Sequence, residues 1–69
     1  MEEYQRKVIE EKNALGLQLA ALRKVLRGSE KDKYDLAELA IMIEQEQAMS
    51  TLNTLLLQRV VLYPKDDGL

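Results

Sequence analysis

Two long stretches of the chain repeat apolar residues with helical period. In the first, from about Glu3 to Arg27, Val8, Leu15, Leu19, Leu22 and Leu26 recur at steps of four and three, with Lys12 filling the gap. Glu2 and Glu3 suit the positive end of the helix dipole, and Arg23, Lys24 and Arg27 suit the negative end. Gly28 follows the last periodic residue, where a helix C-cap is expected. The segment 28–34 reads as a turn. Ser29, Asp32 and Asp35 are all N-cap candidates for a second helix, with Asp32 and Asp35 preferred equally. That helix is predicted over about 35–63 and is stopped by Pro64, because the residue before proline is driven out of helical geometry. Residues 1–63 thus read as one helical hairpin and 64–69 as a flexible tail.

The second helix carries more apolar residues than one partner can cover. One seam is Met42, Gln45, Met49, Leu52, Leu56 and Arg59; a second stripe is Leu36, Leu39 or Ala40, Ile43, Leu57 and Val61. Leu55-Leu56-Leu57 and Val60-Val61-Leu62 wrap around most of its C-terminal end. At about 25 cal/mol per Å² of apolar area, two exposed leucines already represent a few kcal/mol. The fold expected is therefore all-α: an antiparallel two-helix hairpin assembling into a homo-oligomeric helical bundle. Met49, Leu52, Leu55, Leu56, Leu57, Val60 and Val61 are the expected subunit contacts. A short turn sets Leu22 near Met42, Leu15 near Met49, Val8 near Leu56 and Tyr4 near Arg59.

Composition reinforces the need for partners and narrows the chemistry. A chain of 69 residues rarely supports its own core without disulfides, metals or oligomerisation. There is no cysteine and no histidine, which removes disulfides, thiolate or imidazole metal sites and the commonest general base. A net charge of −2 argues against coating a long nucleic acid. No apolar run approaches the roughly 20 residues of a membrane span. The acidic start, Met1-Glu2-Glu3-Tyr4, does not read as a secretion signal, so a cytoplasmic location is expected. Gly16, with Ala20 and Ala21, forms a small-residue strip suited to close helix packing, or else to close approach of a ligand.

Three polar residues interrupt the predicted seam. Lys12 can snorkel, burying its stem and keeping its ammonium wet. Gln45 can fix register or oligomeric state, as buried amides do in coiled coils. Arg59 can pair with Glu2, Glu3 or Glu11 at the open end of the hairpin. At that same end Tyr4, Lys7, Arg59 and Tyr63 converge. Arginine forks phosphate, lysine adds a point charge and tyrosine stacks on a base, a combination suited to a small nucleotide. Catalysis has little support, and no cofactor is implied. Glu10 and Glu11 are adjacent, and Glu44 and Glu46 are two apart, so neither pair shares a helix face; they read as a solvated surface. There is no Gly-rich phosphate loop and no nucleophile–base pair.

The run Lys7-Val8-x-x-Glu11-Lys12-x-x-Leu15-x-x-x-Leu19-x-x-Leu22 resembles the first helix of small phage-encoded hairpin proteins, widespread in tailed phages including crAss-like ones. Their second signature is matched by Ile41-Met42-x-x-Gln45-x-x-x-Met49-x-x-Leu52-x-x-x-Leu56-x-x-Arg59-Val60. The family resembles the hairpin domain of phage anti-CBASS and anti-Thoeris sponges, which oligomerise and hold cyclic nucleotide or cyclic ADP-ribose immune signals without cleaving them. The resemblance implies Lys7, Glu11, Lys12, Gln45 and Arg59 as the family's polar positions; with Tyr4 from the open end of the hairpin they are the expected ligand-binding residues, in the cytoplasm of an infected bacterial host. It departs where the family usually has Arg at Lys7, often Lys at Gln18 and often Tyr at Leu52. The alternative expectation is a structural or protein-interaction module using the apolar face of helix 2. A Rop-like RNA-binding bundle is a third, opposed by the acidic balance.

Overall fold

The computed structural model describes residues 1–64, and the expected tail lies outside the described residues from position 65 onward. Helix α1 spans Glu3–Arg27, a 3₁₀ helix spans Ser29–Lys33, and helix α2 spans Leu36–Val61. The two long helices fold back on one another as a hairpin with extents of 50 × 17 × 15 Å. There is no strand among the described residues.

Each helix end has a local cause. At the start of α1 the Gln5 side chain reaches back and accepts from the Glu2 backbone N–H at 2.9 Å. This is the returning half of a capping box, and it leaves Gln5 buried. Gly28 closes α1 by donating its N–H to the Lys24 carbonyl. Its φ of −101° is open to any residue, so the left-handed cap that favours glycine is not used here. Of the two N-cap candidates, Asp35 takes the role: its carboxylate accepts from the Glu38 N–H at 2.8 Å. Asp32 instead lies within the 3₁₀ turn. Helix α2 ends at Val61, because the Leu62 N–H donates to both Arg59 and Val60 carbonyls. The last turn tightens and the chain leaves the helix before Pro64.

The core is one seam. Val8, Leu15, Leu19, Met42 and Leu56 are buried, and Met49, Val60 and Tyr63 pack against the Val8–Leu15–Leu56 cluster. On α1 the seam follows Gln5, Val8, Lys12, Leu15, Leu19, Leu22 and Leu26. On α2 the seam differs from the sequence expectation. It runs through Leu39, Met42, Glu46, Met49, Asn53, Leu56, Val60 and Tyr63, all buried or half-buried. Gln45, Leu52 and Arg59, expected in the seam, are exposed. The helix is rotated so that Glu46 reaches Arg23, whose Nε lies 2.7 Å from the carboxylate while another guanidinium nitrogen donates to Ser50 Oγ. A charge-assisted bond of this kind supports a half-buried carboxylate in an otherwise apolar seam. Val8, Leu15, Met49 and Leu56 cluster as the expected register places them, and at the open end the Tyr4 ring meets Tyr63.

The residues expected at subunit contacts differ in their exposure within the single hairpin. Leu56 is buried within the hairpin, and Met49 and Val60 are largely occupied there. Leu52, Leu55, Leu57 and Val61 remain exposed, as do Leu36, Ile41, Ile43 and Leu62. Around α2 a single line, Glu44, Thr51 and Gln58, is polar at every step; every other line carries apolar residues. A helix so composed leaves apolar surface on more than the side that α1 covers. Helix α1 needs less cover. Leu17 is its large exposed hydrophobic side chain beyond the first turn. A Cβ added at Gly16 would meet nothing within 4 Å, so the small-residue strip does not serve packing inside the hairpin.

Candidate functional site

The Arg23–Ser50 bond fixes which sides of the two helices face each other. Arg23 lies on one flank of the α1 seam with Ile9 and Gly16, and Ser50 lies on the matching flank of α2 with Ile43 and Leu57. The opposite edge of the hairpin then carries Tyr4, Glu11 and Gln18 from α1 and Gln45, Leu52 and Arg59 from α2. Four of the six sequence-predicted ligand positions, Tyr4, Glu11, Gln45 and Arg59, therefore share one edge.

The other two are placed differently. Lys12 sits in the seam between Val8 and Leu15; it is half-buried, and its ammonium lies 3.3 Å from Asn13 Oδ1. This is the snorkelling arrangement, with the stem against apolar neighbours and the head at the surface. Lys7 lies at the outer rim of the edge and pairs with Glu3 at 3.5 Å across one helical turn. Both side chains are exposed, so the pair adds little stability and yields readily to a competing anion.

Among the described residues, ion pairs join Lys7 to Glu3 and Arg23 to Glu46, and none involves Arg59. The expected pairing of Arg59 with Glu2, Glu3 or Glu11 is not made. Its guanidinium is an exposed cation that makes no ion pair with another described residue. Beside it, at the open end of the hairpin, the Tyr4 and Tyr63 rings meet edge to face with centroids 6.2 Å apart. Tyr4 keeps much of its ring exposed, which leaves a stacking surface next to the cation. The Tyr63 hydroxyl is buried without a hydrogen-bond partner among the described residues. Such a group is costly unless something outside the hairpin satisfies it.

Sequence reasoning missed Gln5, Arg23, Glu46 and Asn53. A signal for Gln5 was present: stepping back three residues from Val8 continues the period directly onto it. For Glu46 the signal was its complementary charge with Arg23, which apolar periodicity ignores. At the closed end, Leu26, Leu36, Leu39 and Ile43 line an open cleft with Lys31 and Asp32 at its mouth. No group of residues suited to holding a metal ion occurs among the described residues, and no described helix is long and apolar enough to cross a membrane.

No curated protein and no solved structure shows significant similarity to the chain. A family model, Sequestin, matches residues 2–62, which takes in both helices, the turn and the whole of the candidate edge. The chain belongs to the Sequestin family.

Proposed function

We propose that this protein binds a small anionic nucleotide signal and holds it without cleaving it, as a phage sponge directed against a bacterial defence system. The ligand class is a cyclic oligonucleotide or a cyclic ADP-ribose isomer, and the setting is the cytoplasm of the infected host. Arg59 carries the reading: an exposed guanidinium without an ion pair among the described residues, one helical turn before the Tyr63 of a tyrosine pair, in a member of a family named for sequestration. The guanidinium supplies a planar fork for phosphate, and the exposed Tyr4 face supplies a platform for a base. Lys7 and Lys12 add positive charge at the rim, and Gln45 offers an amide for base edges. The same residues supply no nucleophile activated by a base, in keeping with retention of an intact ligand.

Calorimetry with a panel of cyclic dinucleotides, cyclic trinucleotides and cyclic ADP-ribose isomers tests the proposal. Chromatography of the ligand recovered after denaturation tests its integrity. The expected result is stoichiometric binding to one panel class, return of unaltered ligand, and loss of binding in Arg59→Ala. A folded protein that binds no member of the panel refutes it.

A second reading, a protein-interaction module, is favoured by one observation. Leu36, Ile43, Leu57 and Val61 lie exposed along the other flank of α2, away from the polar edge. Leu57→Asp abolishing anti-defence activity while nucleotide binding persists would select it.

A further inference from the structure

Along the exposed edge of α2 the residues read Ile41, Gln45, Ala48, Leu52, Leu55, Arg59 and Leu62, at steps of four and three. The stripe is nearly a palindrome about Leu52. Gln45 and Arg59 stand seven residues either side of it, while Ile41 mirrors Leu62 and Ala48 mirrors Leu55 to within one residue. From these observations we infer that α2 packs antiparallel on α2 of a second copy, with a two-fold axis passing at Leu52. This pairing would place Gln45 of each chain against Arg59 of the other. It rests on the reading of Arg59 as a ligand-binding cation only for its second consequence, that each binding site is completed by the other copy.

Two-fold pairing requires a self-complementary surface, where residue i meets j and j meets i. This stripe meets that condition at Leu52 on Leu52 and at Gln45 on Arg59, and to within one residue at the apolar pairs Ile41–Leu62 and Ala48–Leu55. Gln45 presents a carbonyl acceptor to the five-donor guanidinium, so the one cation of the stripe meets a neutral acceptor and not a like charge. The outer flank of α2 is a poorer candidate. Its centre is Gln47, Ser50 and Thr54. Ser50 already accepts from Arg23, and Thr54 already donates to the Ser50 carbonyl. The edge stripe, by contrast, has Ala48, Leu52 and Leu55 at its centre, with Leu52 and Leu55 about half exposed in the single hairpin.

The axis at Leu52 yields two equivalent Gln45–Arg59 layers. Each lies seven residues from the axis, so the two stand about 21 Å apart along the helices at ~1.5 Å per residue. One pair of chains therefore holds two separate sites, each with a guanidinium from one copy and an amide from the other.

Sedimentation of the full chain and of its variants tests the pairing. Gln45→Arg sets arginine against Arg59 twice per pair and is expected to weaken association on the order of a hundredfold or more. Adding Arg59→Glu to the same chain converts both layers to ion pairs and is expected to restore the dimer. Independently of these, Leu52→Cys is expected to join to its own copy through a short bismaleimide, the native chain having no cysteine to interfere, while Leu57→Cys is not. A monomeric native chain, a double variant that stays dissociated while helical, or crosslinking at Leu57 and not at Leu52 would overturn the pairing. Nucleotide binding is read separately: a dimer that binds no nucleotide retires the sponge reading and leaves the pairing, whereas a monomer that binds does the reverse.

Discussion

Hundredfold dilution should lower the melting temperature by a calculable amount if α2 is covered by a second copy. The hairpin buries Val8, Leu15, Leu19, Met42 and Leu56 but leaves apolar residues exposed along both flanks of α2. Folding and association would then be one transition, and mass action sets its midpoint. Ordering Glu3 to Val61 at about 0.7 kcal/mol per residue gives an unfolding enthalpy of ~40 kcal/mol per chain, or ~80 kcal/mol per pair. Each tenfold dilution shifts the balance by about 1.4 kcal/mol. With that enthalpy, the midpoint near 60 °C moves by about 6 °C per tenfold, hence about 12 °C over a hundredfold range. Helical circular dichroism in long and short cells covers that range. Superimposable melts would refute the reasoning, because a hairpin that unfolds alone has no concentration term.

Other substitutions probe the seam and the strip. Leu56→Ala should cost about 3 kcal/mol by chemical denaturation, since its side chain is 3% exposed against Val8 and Leu15. Leu17→Ala, on the solvated side of α1, should leave stability within about 0.5 kcal/mol of native. Gly16→Ala should stabilise by about 1 kcal/mol, because the added methyl meets open space. A loss instead would reveal another copy packed against that strip. Asp35→Ala should cost about 1 kcal/mol by removing the bond to the Glu38 N–H, measured by the same denaturation.

How far the sequence could be read depended on contrast between faces. On α1 polar residues surround the apolar line, so Val8, Leu15 and Leu19 stand out and all three are buried. On α2 that contrast is missing. A line through Met42, Gln45, Met49, Leu52, Leu56 and Arg59 and a line through Met42, Glu46, Met49, Asn53, Leu56 and Val60 share every third-plus-fourth step and differ by a small rotation. Counting apolar residues cannot separate them, because each line has four of six: Leu52 replaces Asn53 in the first and Val60 replaces Arg59 in the second. The structure takes the second, because Arg23 bonds the Glu46 carboxylate from across the hairpin. A line chosen for one helix in isolation cannot include a partner's charge. The hairpin and its helix limits were thus legible, while the edge on which Gln45 and Arg59 lie had to be found from the contacts.

The tyrosine pair gives the molecule a built-in optical reporter. The chain has three tyrosines and no tryptophan, and Tyr4 and Tyr63 join the first turn of α1 to the residue just beyond α2. Aromatic circular dichroism arises where rings are held in a fixed asymmetric setting and vanishes when tertiary packing loosens. In this protein the contact between the two ends of the hairpin is expected to contribute to that signal. Fraying of the open end would therefore dim it while the helices, seen in the far ultraviolet, stay formed. A ligand seated beside Arg59 would perturb the same two rings, so closure and occupancy can be followed without a label.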